Sequence, residues 1–262
     1  MTLTAHLEAF RQSYRAPRYV RLPEPPRNES PVPWLTSLYH NADAGSYGSR
    51  NYRGNCSGNL IRDLILYFQP QSVLDPMSGS GTAGDVCRSL GVPCFSGDLR
   101  NGLDASDSGK LEIATEGQLF DFAWIHPPYW RQVEYSRDAR DLSAQPTLGA
   151  FAEKLRGSMR AVWDRLTPGG RMAVLIGDYN DREQGFLPLT YLAKQLAFSL
   201  GFEQRVTDII RFSHGASSAG RRYRSSFIPG LHDTCIVFEK PDTAAESDRG
   251  ELEALAEPDI NR

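Results

Sequence analysis

A short apolar strand that runs straight into a glycine turn and then a helix constrains this chain more than any other feature. Ser72-Val73-Leu74-Asp75 reads as the strand, Pro76 to Ser80 as the turn, and Gly81–Leu90 as the helix, stopped by Gly91. Further strands are expected at Pro93–Asp98, Phe120–Ile125, Arg171–Gly177, Gln204–Arg211 and Thr234–Glu239. Helices are expected over Leu148–Leu166, with Pro168-Gly169-Gly170 as its stop, and over Pro188–Leu200, stopped by Gly201. Another helix, Asn59–Phe68 behind a Ser57 cap, precedes the first strand. Strands alternating with helices predict an α/β chain, a mostly parallel, doubly wound sheet with helices on both faces. No helix separates the last two strands, which predicts an antiparallel edge.

In an open α/β sheet a ligand sits at the carboxyl ends of the strands. Asp75 ends the first strand there and suits an ammonium. Gly79 and Gly81 let backbone approach a ligand closely, and the helix N-terminus that follows favours a carboxylate. Asp98 ends the next strand, where a carboxylate accepts the hydroxyls of a ribose. The turn lacks the GxGxxG spacing of nicotinamide enzymes, which disfavours that class.

The strand Phe120–Ile125 leads into His126-Pro127-Pro128-Tyr129-Trp130. Two prolines fix the backbone, so the loop is stiff. Stiffness suits a reaction whose partners must meet in line, at about 3–3.5 Å. Tyr129 suits stacking on a flat base drawn out of its helix, worth roughly 1–3 kcal/mol. The exocyclic amine of adenine or cytosine is a poor nucleophile because its lone pair is delocalised. An acceptor at His126 and the carbonyl of Pro127 would draw the amine hydrogens out of plane, and a neutral imidazole also serves as a proton acceptor.

The rest of the chain is arms and loops. Residues 1–55 hold an expected short helix over 4–14, a proline-rich arm and a glycine- and aromatic-rich loop over 34–56. Residues 56–240 form the expected catalytic domain, and 241–262 an acidic, disordered tail. That tail carries a net charge of -5 against +2 for the remainder, so the body tolerates a polyanion although the whole chain is at -3. Arg221, Arg222, Tyr223 and Arg224 lie between the last two strands and suit phosphates and a stacked base. With Trp130 they are the candidate substrate contacts, and residues 130–141 are expected to form a mobile lid. The four cysteines show no CxxC pair, so neither a zinc site nor a disulfide framework is expected. No segment reads as a signal peptide or a membrane span, and the scattered cysteines point to a reducing cytoplasm.

These residues resemble the amino-methyltransferases of DNA, whose signatures are DPFxGSGT for the cofactor and (D/N/S)PP(Y/F/W) for catalysis. The match runs through Asp75, Pro76, Gly79, Ser80, Gly81 and Thr82, with Met77 in place of Phe, and through Pro127, Pro128 and Tyr129. The helix 59–68 stands where that family places a further cofactor-contacting segment, and Phe227-Ile228-Pro229 with His232-Asp233 resemble its closing region. The resemblance covers roughly residues 50–240. It implies a Rossmann-like class I methyltransferase that carries S-adenosylmethionine on Asp75, Pro76, Met77, Gly79, Gly81, Thr82 and Asp98. It implies catalysis by His126, Pro127, Pro128 and Tyr129 on adenine N6 or cytosine N4 in DNA, with the base flipped out. Two departures stand out. His126 replaces the usual Asp, Asn or Ser, so the base is not assigned. No insert is long enough for an ordinary target-recognition domain, so specificity is short, weak or supplied by a protein partner. The same chemistry on RNA or a protein amide, and a catalytically silent cofactor-binding scaffold, remain the alternatives.

Overall fold

The computed structural model describes residues 30–40, 46–49, 51–212, 228 and 230–242. The expected helix over 4–14, most of the proline-rich arm, Arg221, Arg222, Tyr223 and Arg224, and the acidic tail past Asp242 lie outside the described residues. In chain order the strands are β1 (Leu38–His40), β2 (Val73–Asp75), β3 (Cys94–Ser96), β4 (Phe120–Ile125), β5 (Leu166–Ile176), β6 (Tyr179–Asp181), β7 (Gly185–Leu187), β8 (Glu203–Gln204), β9 (Ile209–Phe212) and β10 (His232–Glu239). The helices are α1 (Gly58–Phe68), α2 (Thr82–Leu90), α3 (Ser108–Ala114), α4 (Leu148–Arg165) and α5 (Leu189–Ser199).

Eight strands form one sheet in the order β1-β9-β10-β5-β4-β2-β3, with β8 on β10. β2 pairs parallel with β3 on one side and with β4 on the other, and β4 pairs parallel with β5. β10 runs antiparallel to β5, β8 and β9. This is the Rossmann-like α/β arrangement with an antiparallel strand set into a mainly parallel sheet. The chain leaves β2 in one direction for β3 and returns past it to β4. Its topological switch point, where a crevice opens, therefore lies between the carboxyl ends of β2 and β4.

Alternation along the strands divides the core in two. Met172, Val174 and Ile176 of β5, with Ile236 and Phe238 of β10, face one way, under Phe151, Leu155, Met159 and Val162 of α4 and Leu189, Ala193 and Ala197 of α5. Ala173 and Leu175, with Cys235 and Val237, face the other way, under Leu60, Ile61, Leu64 and Ile65 of α1 and Ala83 and Val86 of α2. Both faces are covered, which is why Val73 and Leu74 of β2 and the second half of β5 are apolar without a polar side.

Three expectations need correction. The stretch 34–56 is not all loop, because β1 pairs parallel with β9 and closes the edge expected for the antiparallel pair. Tyr39 and Trp34 fix that segment to α1, both donating to Asp63 Oδ2, at 2.7 and 2.9 Å. Pro168-Gly169-Gly170 does not stop α4, which ends at Arg165. It lies within β5, where Gly169 N donates to Lys240 O and Lys240 N to Gly170 O, both at 2.8 Å. The single strand expected over Gln204–Arg211 is two, β8 and β9, bridged by Gln204 Nε2 donating to Asp208 Oδ1 at 2.7 Å.

Candidate active site

The carboxyl ends of β2 and β4 open into one cavity of about 690 Å³, in the range of ligand pockets. Asp75 lies at its floor, 1% exposed, with Oδ1 accepting from Met77 N at 3.3 Å. Burial pushes its carboxyl well above the usual carboxylate range, and the neighbouring Cys94 and Asp98 push the same way. A buried acid among acids is a site that a ligand cation would relieve.

Gly79 and Gly81 adopt φ of 52° and 83°, the left-handed region that makes glycine the residue there. Gly81 caps α2 without a side-chain hydrogen bond, so the first amides of that helix are not claimed by a capping side chain. Asp98 ties the turn together. Its Oδ2 accepts from Gly79 N at 2.8 Å and its Oδ1 from Arg100 N and Nε, at 3.0 and 2.9 Å. Thr82, 5% exposed, donates to Asn55 Oδ1 at 2.5 Å, and Ser80 donates to the same oxygen at 3.0 Å. Pro76 and Met77 also line the cavity, and Met77 packs on the core beneath.

At the end of β4, His126, Pro127, Pro128 and Tyr129 all border the cavity. His126 Nε2 lies 3.4 Å from the Tyr129 hydroxyl, with the rings edge to face at 5.8 Å. Tyr129 packs close to Gly177 after β5, where a Cβ would stand 3.0 Å from Tyr129 Cε2 and 2.6 Å from Asp233 Oδ1. Burial holds the Tyr129 hydroxyl well above the usual phenol range, and the Asp233 carboxylate adds to it. Asp233 in turn accepts from Arg211 Nη2 at 2.6 Å. Burial pushes the Cys56 thiol up to about 11, against the opposing pull of Arg211.

Trp130, expected among the substrate contacts, is not on the cavity wall. It is 2% exposed within the core, its Nε1 donates to Gln145 O at 2.8 Å, and its backbone adopts φ 46°. Its indole anchors the turn that ends the His-Pro-Pro-Tyr loop. The following segment does border the cavity, at Gln132, Val133, Tyr135, Ser136, Asp138, Arg140 and Asp141. It is pinned by Tyr135 N donating to Ser143 Oγ at 3.0 Å and Ser136 Oγ to Asp141 Oδ2 at 2.7 Å. The stretch bearing Arg221 to Arg224 is outside the described residues, but β9 ends and β10 begins at the cavity edge, and Gly230, Leu231 and His232 line it.

Sequence reading missed several wall residues. Tyr52 and Tyr135, both on the wall, stack with centroids 6.0 Å apart, and Arg100 lies over the Tyr52 ring at 4.8 Å. Asn55, Arg211 and Asp233 arrive from three distant segments. Only the aromatic richness of 34–56 and the His-Asp pair before the last strand hinted at any of them. Carboxylates outnumber arginines seven to four on the wall, which makes the cavity suited to a cationic ligand.

No protein-family model matches the chain, and no curated protein matches it. Among solved structures, a protein of Thermus thermophilus provisionally described as a DNA modification methylase is 21% identical over 58% of this chain and 58% of its own, with a TM-score of 0.37. TrmN of Thermus thermophilus is 20% identical over 72% of this chain and 50% of its own, at 0.43. A SAM dependent methyltransferase of Archaeoglobus fulgidus is 12% identical over 70% of this chain and 95% of its own, at 0.40. The chain thus spans little more than half of the first and half of the second. These are loose superpositions, and the functional reading rests on the chain's own residues.

Proposed function

We propose that this chain transfers a methyl group from S-adenosylmethionine to the exocyclic amine of adenine or cytosine in DNA. One observation carries the reading: the buried Asp75 below a glycine turn and the His126–Tyr129 pair open into the same cavity from the two strands that flank the switch point.

The wall fits the cofactor. Asp75 would hold its ammonium, the uncapped first turn of α2 its carboxylate, and Asp98, which already accepts three hydrogen bonds from the turn, one hydroxyl of its ribose. The surplus of carboxylates favours a ligand that carries a sulfonium as well. Bound there, S-adenosylmethionine supplies a methyl carbon on a sulfur that keeps the bonding pair as it leaves. The target amine lies against His126, which accepts one of its hydrogens while the Pro127 carbonyl accepts the other. As the carbon–nitrogen bond forms, His126 takes the proton that nitrogen gives up and passes it to solvent. Tyr129 packs against the target ring, and the segment 131–141 closes the mouth over it. DNA is the polymer because the paired motifs resemble enzymes of DNA.

The test is to incubate the protein with methyl-labelled S-adenosylmethionine and either DNA or RNA, digest the polymer, and identify the labelled nucleoside by mass spectrometry. N6-methyladenine or N4-methylcytosine in DNA is expected. Label confined to RNA moves the activity to that polymer. Label in a protein amide moves it to a peptide, and binding without transfer makes the chain a scaffold.

A further inference from the structure

Arg211, Asp233, Tyr129 and His126 form a chain of polar contacts that ends on the proposed proton acceptor. Arg211 is buried in β9, and its Nη2 donates to Asp233 Oδ2 at 2.6 Å. A guanidinium stays charged, so this ion pair keeps Asp233 a carboxylate, a group that only accepts hydrogen bonds. Tyr129 stands against that carboxylate. Gly177 leaves the room for it, since a Cβ there would lie 2.6 Å from Asp233 Oδ1 and 3.0 Å from Tyr129 Cε2. Burial keeps the Tyr129 hydroxyl protonated, and the hydroxyl donates to Asp233. The same hydroxyl oxygen lies 3.4 Å from His126 Nε2.

A phenol has one hydrogen. With that hydrogen directed at Asp233, the Tyr129 oxygen offers His126 only lone pairs, so Nε2 brings the hydrogen to their contact. We infer that Asp233 is a positioning residue that, through Tyr129, holds neutral His126 with its hydrogen on Nε2 and so makes Nδ1 the atom that takes the proton of the target amine. The role of Nδ1 rests on the methyl transfer proposed above; the place of the ring hydrogen does not. A neutral imidazole carries one hydrogen, and the bond made by one ring nitrogen decides what the other can do. In the transfer step the amine nitrogen forms its bond to the methyl carbon and the carbon–sulfur bond breaks, with sulfur keeping the pair. The amine proton goes to Nδ1. The imidazolium then carries hydrogen on both nitrogens, and its Nε2–H is directed through the Tyr129 hydroxyl towards a carboxylate, which favours the positive charge. Loss of the Nδ1 proton to solvent restores the starting form, and the methylated base is neutral.

Asp233→Asn reverses the chain. Its carbonyl turns to Arg211, which only donates, so its amide hydrogens meet Tyr129. The phenol then accepts from the amide and donates to Nε2, and the ring hydrogen moves to Nδ1. The first arm of the test needs no turnover. Nitrogen NMR of protein isotopically labelled at histidine, recorded above neutral pH, separates bare from protonated ring nitrogens, and His126→Ala identifies the signal. Wild-type protein is expected to show a protonated Nε2 and a bare Nδ1, and Asp233→Asn the reverse. A bare Nε2 in the wild-type protein overturns the inference, whether or not the asparagine variant folds. The second arm measures methyl transfer to DNA. Asp233→Asn lowers kcat at least about tenfold, a part of what a positioned proton acceptor contributes, and leaves S-adenosylhomocysteine affinity unchanged. In a Tyr129→Phe background the same substitution has no further effect, because the link to His126 is already cut. Equal losses in the two backgrounds overturn the inference. Absence of any transfer to DNA by the wild-type protein removes the proposed activity instead, and the first arm alone then decides where the ring hydrogen sits.

Discussion

Asn55 Oδ1 and Thr82 Oγ1 lie 2.5 Å apart, joining the segment ahead of α1 to the first turn of α2. With Ser80 on the same oxygen, this one amide holds one wall of the cavity to the glycine turn. Asn55→Ala removes the shared acceptor; Ser80 Oγ and Thr82 Oγ1, 3.2 Å apart, then have only each other, which leaves one hydroxyl short of an acceptor. It is expected to cost about 1–3 kcal/mol of stability and to weaken S-adenosylhomocysteine binding, read by thermal melting and calorimetry.

Asp75→Asn is expected to separate stability from function. Burial raises the Asp75 pKa above its ordinary 3.8, so the folded chain holds that proton more tightly than the unfolded chain. The associated stability is fully present below 3.8 and is lost as pH rises from there through the raised folded value. Without ligand, the asparagine variant melts higher than wild type at neutral pH and lacks this fall. It also fails to bind the cofactor, because the charge that meets the ammonium is gone. Melting curves across pH, with and without S-adenosylhomocysteine, check both halves.

Much of the scaffold was legible because its signals are local. The strand Val73–Asp75, its glycine turn, the strand Phe120–Ile125 and the helix after Thr147 each declare themselves in a few consecutive residues. What stayed hidden depends on distant partners. β1 is three residues among glycines and polar side chains, and only pairing with β9 makes it a strand. α3 is a seven-residue helix with weak internal preference, started by the Asp107 carboxylate accepting from Lys110 N at 3.0 Å. Arg211 reads as one more strand cation until Asp233, 22 residues on, is placed beside it. Trp130 follows a catalytic-looking tyrosine and reads as a substrate contact, but its backbone is left-handed and its ring lies in the core.

Gly177→Ala tests the crowding behind Tyr129. The new methyl carbon would stand 2.6 Å from Asp233 Oδ1 and 3.0 Å from the Tyr129 ring, so one or both must move. The expected cost is about 1–3 kcal/mol in stability. Methyl transfer is expected to fall by more than that loss of folded protein accounts for, measured at a temperature where the variant remains folded.

His126→Ala is expected to lower methyl transfer by about 10²–10⁴-fold, the usual worth of a positioned proton acceptor, and to leave S-adenosylhomocysteine affinity unchanged. Tyr129→Ala is expected to raise KM for DNA as well, since the ring packs against the target. Rates at saturating cofactor with varied DNA separate the two effects.

Trp130→Phe removes one hydrogen bond, to Gln145 O, and keeps most of the buried ring. A loss of about 1 kcal/mol is expected with little change in KM for DNA. A large rise in KM with unchanged stability would place the indole in contact with substrate after all.

The most direct measurement is a crystal structure with S-adenosylmethionine and a short DNA strand bound. The expected result places the ammonium at Asp75 and the sulfonium methyl about 3–3.5 Å from an exocyclic amine held by His126. Cofactor bound away from Asp75, or a methyl directed away from His126 and Tyr129, would contradict the account.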